Sequence, residues 1–272
     1  MFSLTSKFSI RSRLAPVISI CLTILMTGQV ALASPLRLVT LTPHATEMVF
    51  AAGAGQHIVA TVNSSNYPRQ ALSLPKIGDG ITTSLEEIIR WQPDWVIGWP
   101  SPLMQQLKAI GINTWVSDPK SLHEIGDEVV SMGKAFGSAH VAKAWREGFD
   151  KGLAKLQSVD PTNRYTKVVV LTGSDAQYAI GSQALINSTL QRCHAVNVFA
   201  NAPTLAPLVS TESLIAVEPD VIISGEPVLN QAIPGTKVHI VNADWLYRPG
   251  PRFAQAANRI CDIIFQTRQA SR

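Results

Sequence analysis

The chain has 272 residues, a formal net charge of +4 and 46% hydrophobic residues. Three basic residues and no acidic residue lie among the first 33, so the rest of the chain carries 20 basic and 19 acidic side chains. This balance excludes the strongly basic character of a nucleic-acid-binding protein. The 239 residues that follow position 33 are enough for two lobes, each with its own hydrophobic core.

Residues 1–33 have the pattern of an export signal. Basic residues precede an apolar run from Leu14 to Met26, and the small residues of Ala31-Leu-Ala33 follow as a cleavage site. A retained membrane anchor is the less favoured alternative, because the run is shorter than the about 20 residues of a membrane-spanning helix. We predict cleavage after Ala33 and a soluble protein in the periplasm.

The segment 34–137 alternates short apolar strands with helices, which is typical of a parallel α/β sheet. Strands are predicted at residues 37–42, 57–62, 94–99 and 112–117, and helices at 45–52, 84–92 and 104–110. We interpret this segment as an N-terminal α/β lobe.

A connecting helix is predicted over residues 138–160, where apolar residues recur at three- and four-residue spacing without proline. The alternation of strands and helices then resumes over 161–272, which we interpret as a C-terminal α/β lobe. Its predicted strands are 167–172, 220–224 and 238–241, and its predicted helices are 184–192, 210–217 and 251–268. The fold class is therefore α/β, with two Rossmann-like lobes joined by one long helix.

One helix-turn-strand unit occurs twice, at residues 84–99 and 210–225. At an offset of 126, Glu86, Ile89, Pro93, Asp94 and Ile97 recur as Glu212, Ile215, Pro219, Asp220 and Ile223. The repeat indicates two lobes of similar structure, each presenting one glutamate in the first turn of a helix.

Two explanations apply to Glu86 and Glu212. A carboxylate in the first turn of a helix interacts favourably with the helix dipole, by ~0.3–1 kcal/mol. That explanation is sufficient for either residue alone, but it does not explain the occurrence of both. A matched pair of exposed carboxylates is suited to docking on a two-fold partner with basic sockets.

Polar and aromatic residues follow the ends of several predicted strands, where open α/β sheets bind ligands. Such residues from two lobes would face each other across a cleft, so we interpret them as candidates for ligand binding. They are His44, Trp99, Tyr178, Asp244, Trp245 and Arg248.

Motifs of catalytic and metal sites are missing from the sequence. No Gly-x-Ser-x-Gly, Walker or His-Glu-x-x-His motif occurs, and the six histidines are scattered singly. We therefore predict no catalytic residue and no metal site. After export, Cys193 and Cys261 are the remaining cysteines, and an oxidising compartment favours a disulfide between them.

Several motifs together resemble those of the periplasmic vitamin B12-binding proteins of ABC importers, which belong to the helical-backbone (class III) substrate-binding proteins. The resemblance covers essentially the whole chain after the export signal. The motifs are Leu41-Thr-Pro-His-Ala-Thr-Glu47, the two copies of the repeat, Asn197-Val-Phe199, the segment from Asp244-Trp245 to Arg252, and the cysteine pair.

The resemblance implies a monomeric binding protein that performs no catalysis and carries cobalamin as transported ligand, with no cofactor of its own. The expected partner is an ABC permease dimer with its ATPase subunits, engaged by Glu86 and Glu212. The residues expected to line the cobalamin cleft are Trp99, Tyr178, Asp244, Trp245 and Arg248, with His44 beside the pocket. The resemblance also implies a Cys193–Cys261 disulfide.

The sequence departs from the best-known cobalamin binder at four positions where that protein has aromatic residues, namely Ser64, Gly80, Thr172 and Ala206. The pocket, with Ser64 among its ligand-binding residues, is therefore expected to be wider, to bind more weakly, or to be shaped for a different corrinoid. Two alternatives stay open: an iron-siderophore or haem-binding protein of the same fold, and more remotely an exported α/β enzyme using His44 with Asp244. A contact between His44 and cobalt is a further hypothesis.

Overall fold

The described part of the chain forms two β-sheets, one in each lobe. The computed structural model describes residues 34–154, 156, 164–173, 178–227 and 235–270, so the predicted export signal lies outside the described residues. The N-terminal sheet has four parallel strands in the order β2-β1-β3-β4. These strands are β1 (Leu38–Thr40), β2 (Ile58–Thr61), β3 (Trp95–Gly98) and β4 (Asn113–Val116).

Four helices of the N-terminal lobe begin after a serine or threonine. They are α1 (Pro43–Ala51), α2 (Leu85–Arg90), α3 (Pro102–Ala109) and α4 (Leu122–Ala135). In each case the hydroxyl of the preceding residue accepts a hydrogen bond from a backbone N–H in the first turn, which stabilises the start of the helix. Helix α1 begins earlier than predicted, because Thr42 is its N-cap and Pro43 occupies its first turn. Helix α4 was not predicted.

Helix α5 (Ala139–Leu153) follows the N-terminal lobe and contacts α4 and α1. Its buried side chains include Phe149 and Leu153, in agreement with the predicted apolar stripe. The helix ends at Leu153, which is earlier than the predicted end at residue 160; residues 157–160 lie outside the described part of the chain.

The C-terminal sheet is built around β5 (Thr166–Thr172). Strand β8 (Val221–Ser224) pairs with it in parallel, and β9 (Lys237–Ile240) pairs in parallel with β8. On the other side of β5, β7 (Ala195–Asn197) pairs in parallel with its beginning, and the short β6 (Tyr178–Ala179) pairs antiparallel with its end. The helices of this lobe are α6 (Ala184–Arg192), α7 (Thr211–Ala216), α8 (Ala243–Leu246) and α9 (Phe253–Ala270).

One hydrophobic core extends through both lobes. Successive residues of the strands alternate between two faces: Val168 and Val170 of β5 join this shared core, whereas Val169 and Leu171 join a separate outer cluster. Helix α9 contacts α5, and both helices contribute side chains to the shared core. The α/β fold class with two parallel-sheet lobes is confirmed.

The repeated unit is duplicated in detail. Gln92 and Glu218 both have φ of +46°, so each helix of the repeat ends in a left-handed residue before a proline. The carboxylate of Asp94 accepts a hydrogen bond from the backbone N–H of Arg37 at 2.8 Å, and that of Asp220 accepts one from Lys167 at 2.7 Å. The same side chains therefore fix both copies to the first strand of their own sheet.

The predicted disulfide is present. Cys193, directly after α6, is bonded to Cys261 in α9, and 68 positions separate the two residues. Closing a loop of this length restricts the unfolded chain and stabilises the fold by about 4 kcal/mol on the chain-entropy model.

Candidate ligand-binding cleft

Two cavities lie at the carboxyl ends of the N-terminal strands, and both are lined by Trp99 and Pro100. The first has a volume of about 580 Å³ and lies between the lobes. Its lining includes Trp99, Asp118 and Lys120 from the N-terminal lobe, and Ser182, Gln183 and Leu205 from the C-terminal lobe. We call this space the interlobe cavity.

The second cavity has a volume of about 650 Å³ and is lined by the N-terminal lobe alone. Its lining includes Leu41, Ser64, Gly80, Ile81, Leu103 and Gln106. Two of the four positions without an aromatic residue, Ser64 and Gly80, thus lie in one wall. Gly80 has φ of +84°, and a Cβ atom there would lie 2.1 Å from the carbonyl oxygen of Leu41, so this backbone requires glycine.

Trp99 lines both cavities and is 49% exposed, which is unusual for so large an apolar side chain. It follows β3 directly, and its ring packs on that of His44 with 5.4 Å between the ring centroids. An exposed indole held in this way is suited to stacking against a flat ligand.

His44 lies in the first turn of α1 and is only 1% exposed. Its Nε2 atom lies 3.2 Å from the hydroxyl oxygen of Ser117 and 3.3 Å from the carbonyl oxygen of the same residue. His44 does not line the interlobe cavity or the second cavity. The structure therefore places the imidazole beneath Trp99 and not on the cleft surface.

Burial lowers the pKa of His44 to about 4, and the nearby Arg248 also lowers it. The unfolded chain, with a His pKa near 6.5, then binds more protons at this site than the folded chain between these two values. Stability should therefore fall as the pH falls from about 6.5 towards 4. Relative to His44→Gln, we expect the wild type to lose about 1.4 kcal/mol per pH unit in that range.

The measurement is urea unfolding of both proteins at pH 7.5, 6.0 and 5.0. His140→Gln, which changes an exposed histidine, serves as the control. An equal pH dependence for the wild type and His44→Gln would contradict the assignment of a buried neutral imidazole.

Asp244 and Arg248 belong to a hydrogen-bonded network that joins the lobes. The two side chains form an ion pair at 2.6 Å. Across the lobe boundary, the Asn66 amide donates to Asp244 at 2.9 Å and accepts from Arg248 at 2.7 Å. Arg248 also donates to the carbonyl oxygen of Ser64 at 3.3 Å. The network brings two predicted ligand-binding residues to the loop after β2.

Beneath this network lies a buried ion pair that was not identified from the sequence. Glu47, 2% exposed, accepts two hydrogen bonds from Arg252, at 2.6 and 3.0 Å, and a longer one from Arg248 at 3.4 Å. The Arg252 guanidinium also lies over the ring of Tyr67, 4.3 Å from its centroid. Glu47 is the last residue of the motif that begins at Leu41, and Arg252 is the last residue of the segment that begins at Asp244. Their places in these two motifs were the sequence signal for the pair.

Of the residues predicted to bind the ligand, Trp99 and Ser64 line the two cavities, whereas Tyr178, Asp244, Trp245 and Arg248 line neither. Tyr178 is exposed on β6, whereas Trp245, in α8, is half-buried and packs against the shared core. Tyr247, which was not predicted, donates a hydrogen bond to the carbonyl oxygen of Leu171 and accepts one from the N–H of Gly225. A Cβ atom at Gly225 would lie 2.3 Å from the Tyr247 ring, which explains why the second copy of the repeat lacks a counterpart of Trp99.

Glu86 and Glu212 occupy the first turns of α2 and α7 and are exposed. Hydrogen bonds from the backbone N–H of each glutamate, followed by those from the Ser84 and Ser210 hydroxyls, lower the pKa of both carboxyl groups. Both therefore carry a negative charge at neutral pH. Neither residue lines the two cavities described above.

Within the described ranges, no group of three or more His, Cys, Asp or Glu side chains is arranged to hold a metal ion. None of the helices in the described part of the chain combines the length and the apolar character needed to cross a membrane.

A family model described as periplasmic binding protein matches residues 38–235. The vitamin B12-binding protein of Photorhabdus laumondii is 30% identical over 244 residues, which cover 85% of this chain and 89% of that protein. The crystal structure of the periplasmic vitamin B12-binding protein of Vibrio cholerae matches with a TM-score of 0.79 and 27% identity, covering 85% of this chain and 97% of that one.

A periplasmic haem-binding protein from Roseiflexus has a similar fold, with a TM-score of 0.70 and 24% identity over 85% of this chain and 98% of that one. The resemblance to periplasmic vitamin B12-binding proteins indicated by the sequence motifs is confirmed.

Proposed function

The chain belongs to the periplasmic binding protein family, and we propose that it captures cobalamin or a related corrinoid between its lobes and delivers it to an ABC importer. In this proposal the protein is exported through cleavage of residues 1–33, acts as a monomer and catalyses no reaction. We propose residues 34–137 as its N-terminal lobe, 138–160 as its connecting segment and 161–272 as its C-terminal lobe. The observation that carries the proposal is the exposed ring of Trp99, which lines both cavities.

The chemistry of the cleft fits a corrinoid. Cavities of about 580 and 650 Å³ fall within the range of small-molecule sites. A corrin ring presents a large flat face and a rim of amide side chains. Trp99 supplies an apolar surface for the face. The Asp244 carboxylate and the Arg248 guanidinium line neither cavity and pair with each other, and we propose that they meet the amide rim of the ligand beyond the cavities. The cavity beside Ser64 and Gly80 leaves room for a bulky axial group.

We assign different roles to the other predicted residues. Tyr178 and Ser64 are proposed as ligand contacts at the rim, and Trp245 as a partly buried contact. His44 is proposed to hold Trp99 in place, because it is buried and contacts that ring. A bond between His44 and cobalt would require the imidazole to leave its contacts with Ser117.

Haem binding is the second candidate function. Haem iron needs an axial ligand, and tyrosine serves in this role in some haem proteins. The exposed phenol of Tyr178, which lines neither cavity, is the side chain that favours this alternative. The similarity in fold to haem-binding proteins supports the same alternative only at the level of the fold.

Replacing Trp99 with alanine is expected to weaken cyanocobalamin binding by about tenfold to hundredfold, because the ligand loses its stacking surface. Trp99→Phe should retain most of the affinity. Isothermal titration calorimetry measures the change, with Tyr165→Ala as the control at an exposed aromatic residue that does not line either cavity. Wild-type affinity in Trp99→Ala would refute the role of this ring.

A further inference from the structure

Helices α2 and α7 each expose an isoleucine three residues after the glutamate of the first turn. Ile89 is 41% exposed and Ile215 is 48% exposed. Side chains three residues apart are neighbours on the surface of a helix. Each helix therefore presents a carboxylate beside an aliphatic side chain.

The two helices are identical at only these two positions. Residues 85–90 read Leu-Glu-Glu-Ile-Ile-Arg, and residues 211–216 read Thr-Glu-Ser-Leu-Ile-Ala. The buried residue that holds each helix on its lobe differs: it is Ile88 in α2 and Leu214 in α7, and both side chains are fully buried. Core packing therefore explains why a hydrophobic residue occurs at the buried position, but it does not explain why the exposed position has isoleucine in both helices.

The local structure presents both pairs in the same way. The N-cap serines, the left-handed residues at the helix ends and the aspartate contacts with the first strand recur in both lobes. A single exposed isoleucine is common on protein surfaces and needs no explanation. Two of them, each beside a glutamate on helices with equivalent attachment, form a duplicated surface.

Beside the glutamate contact that the family resemblance implies, we propose that the isoleucine of each helix enters an apolar socket of the same partner. The occupant is the permease dimer of the importer, with one such site on each of its two subunits. The inference rests on the proposed function for the identity of this partner. The duplicated surface supports a two-fold partner, and the carboxylates support basic residues in it by charge complementarity.

The two halves of the contact have different roles. An exposed charge pair steers association and is weakened by salt, whereas an aliphatic side chain buried in a socket slows dissociation and depends little on salt. The isoleucines should therefore contribute affinity that persists at high salt.

The test uses the source organism's importer in lipid nanodiscs and the full-length mature protein. We expect Ile89→Ser/Ile215→Ser to weaken association with the importer by about tenfold per helix, at both low and high salt, by surface plasmon resonance. Cyanocobalamin affinity should be unchanged in the same variant. Ile110→Ser, at an exposed isoleucine outside α2 and α7, should behave as the wild type in both assays.

Association within twofold of the wild type would overturn the inference, and so would a loss of cyanocobalamin binding, because the isoleucines would then act in the cleft. Circular dichroism of each variant identifies loss of folding, and Ile89→Val/Ile215→Val should restore association. If the wild type docks in an isoleucine-dependent manner without binding cobalamin, the proposed ligand is wrong and the docking contact stands.

Discussion

Replacing Glu47 with alanine is expected to lower the free energy of unfolding by about 3–5 kcal/mol. The Glu47 carboxylate is buried and accepts hydrogen bonds from both Arg252 and Arg248, whose side chains are also mostly shielded from solvent. Its removal takes away the buried carboxylate and leaves both guanidinium groups sharing the partly exposed Asp244, 2.6 Å from Arg248 and 3.5 Å from Arg252. Because the glutamate and the arginines belong to different lobes, the loss should also loosen the lobe boundary.

Urea unfolding followed by tryptophan fluorescence measures this effect. Glu87→Ala is the matched control, because its carboxylate forms an exposed ion pair with Arg90 at 3.7 Å and should contribute less than about 1 kcal/mol. Replacing both Glu47 and Arg252 with methionine should recover part of the loss, since one of the two cations that share Asp244 is then removed as well. A loss below about 1 kcal/mol in Glu47→Ala would contradict the structural role assigned to this pair.

Reversing both docking charges, in Glu86→Lys/Glu212→Lys, is expected to abolish the stimulation of the importer's ATPase activity. The two carboxylates are exposed and ionised, so lysines at these positions would face the basic sockets that we propose on the permease with like charge. The affinity for cyanocobalamin should remain that of the wild type, because neither glutamate lines a described cavity.

ATPase activity of the reconstituted importer is measured with each variant bound to cyanocobalamin. Glu147→Lys/Asp262→Lys changes the net charge by the same amount at exposed positions of α5 and α9, and it should stimulate the ATPase as the wild type does. Loss of cyanocobalamin binding in Glu86→Lys/Glu212→Lys would place these residues in the cleft instead of on a docking surface.

Features that depend on local or repeated sequence could be predicted. The repeat at residues 84–99 and 210–225 indicated two similar lobes, and the structure reproduces even the left-handed residues Gln92 and Glu218. Serine N-caps and short apolar strands are also local signals. The Cys193–Cys261 bond could be predicted because only two cysteines follow the predicted export signal.

Features that depend on packing between distant segments were not predicted. Glu47 and Arg252 are separated by 205 positions, and no local pattern indicates that they meet. His44 was expected in a loop beside the pocket. Because α1 begins at Pro43, His44 lies in a helix instead of a loop. Its side chain contacts Ser117, which directly follows β4.

The difference between the two copies of the repeat at the cleft also depends on packing between distant segments. The second copy of the repeat places Gly225 where the first has Trp99, and the sequence alone does not say why. In the structure the Tyr247 ring occupies the space that a side chain at position 225 would need. Tyr247 is 22 positions away, so only the packed fold relates the two residues.

Parallel titrations of the mature protein with cyanocobalamin and with haem, followed by visible absorbance, test the central proposal most directly. We expect saturable binding of one cyanocobalamin at micromolar or lower concentration, and haem binding weaker by at least about tenfold. No cyanocobalamin binding at micromolar concentrations, together with a shift of the haem Soret band that is lost in Tyr178→Phe, would contradict corrinoid capture and identify a haem-binding protein.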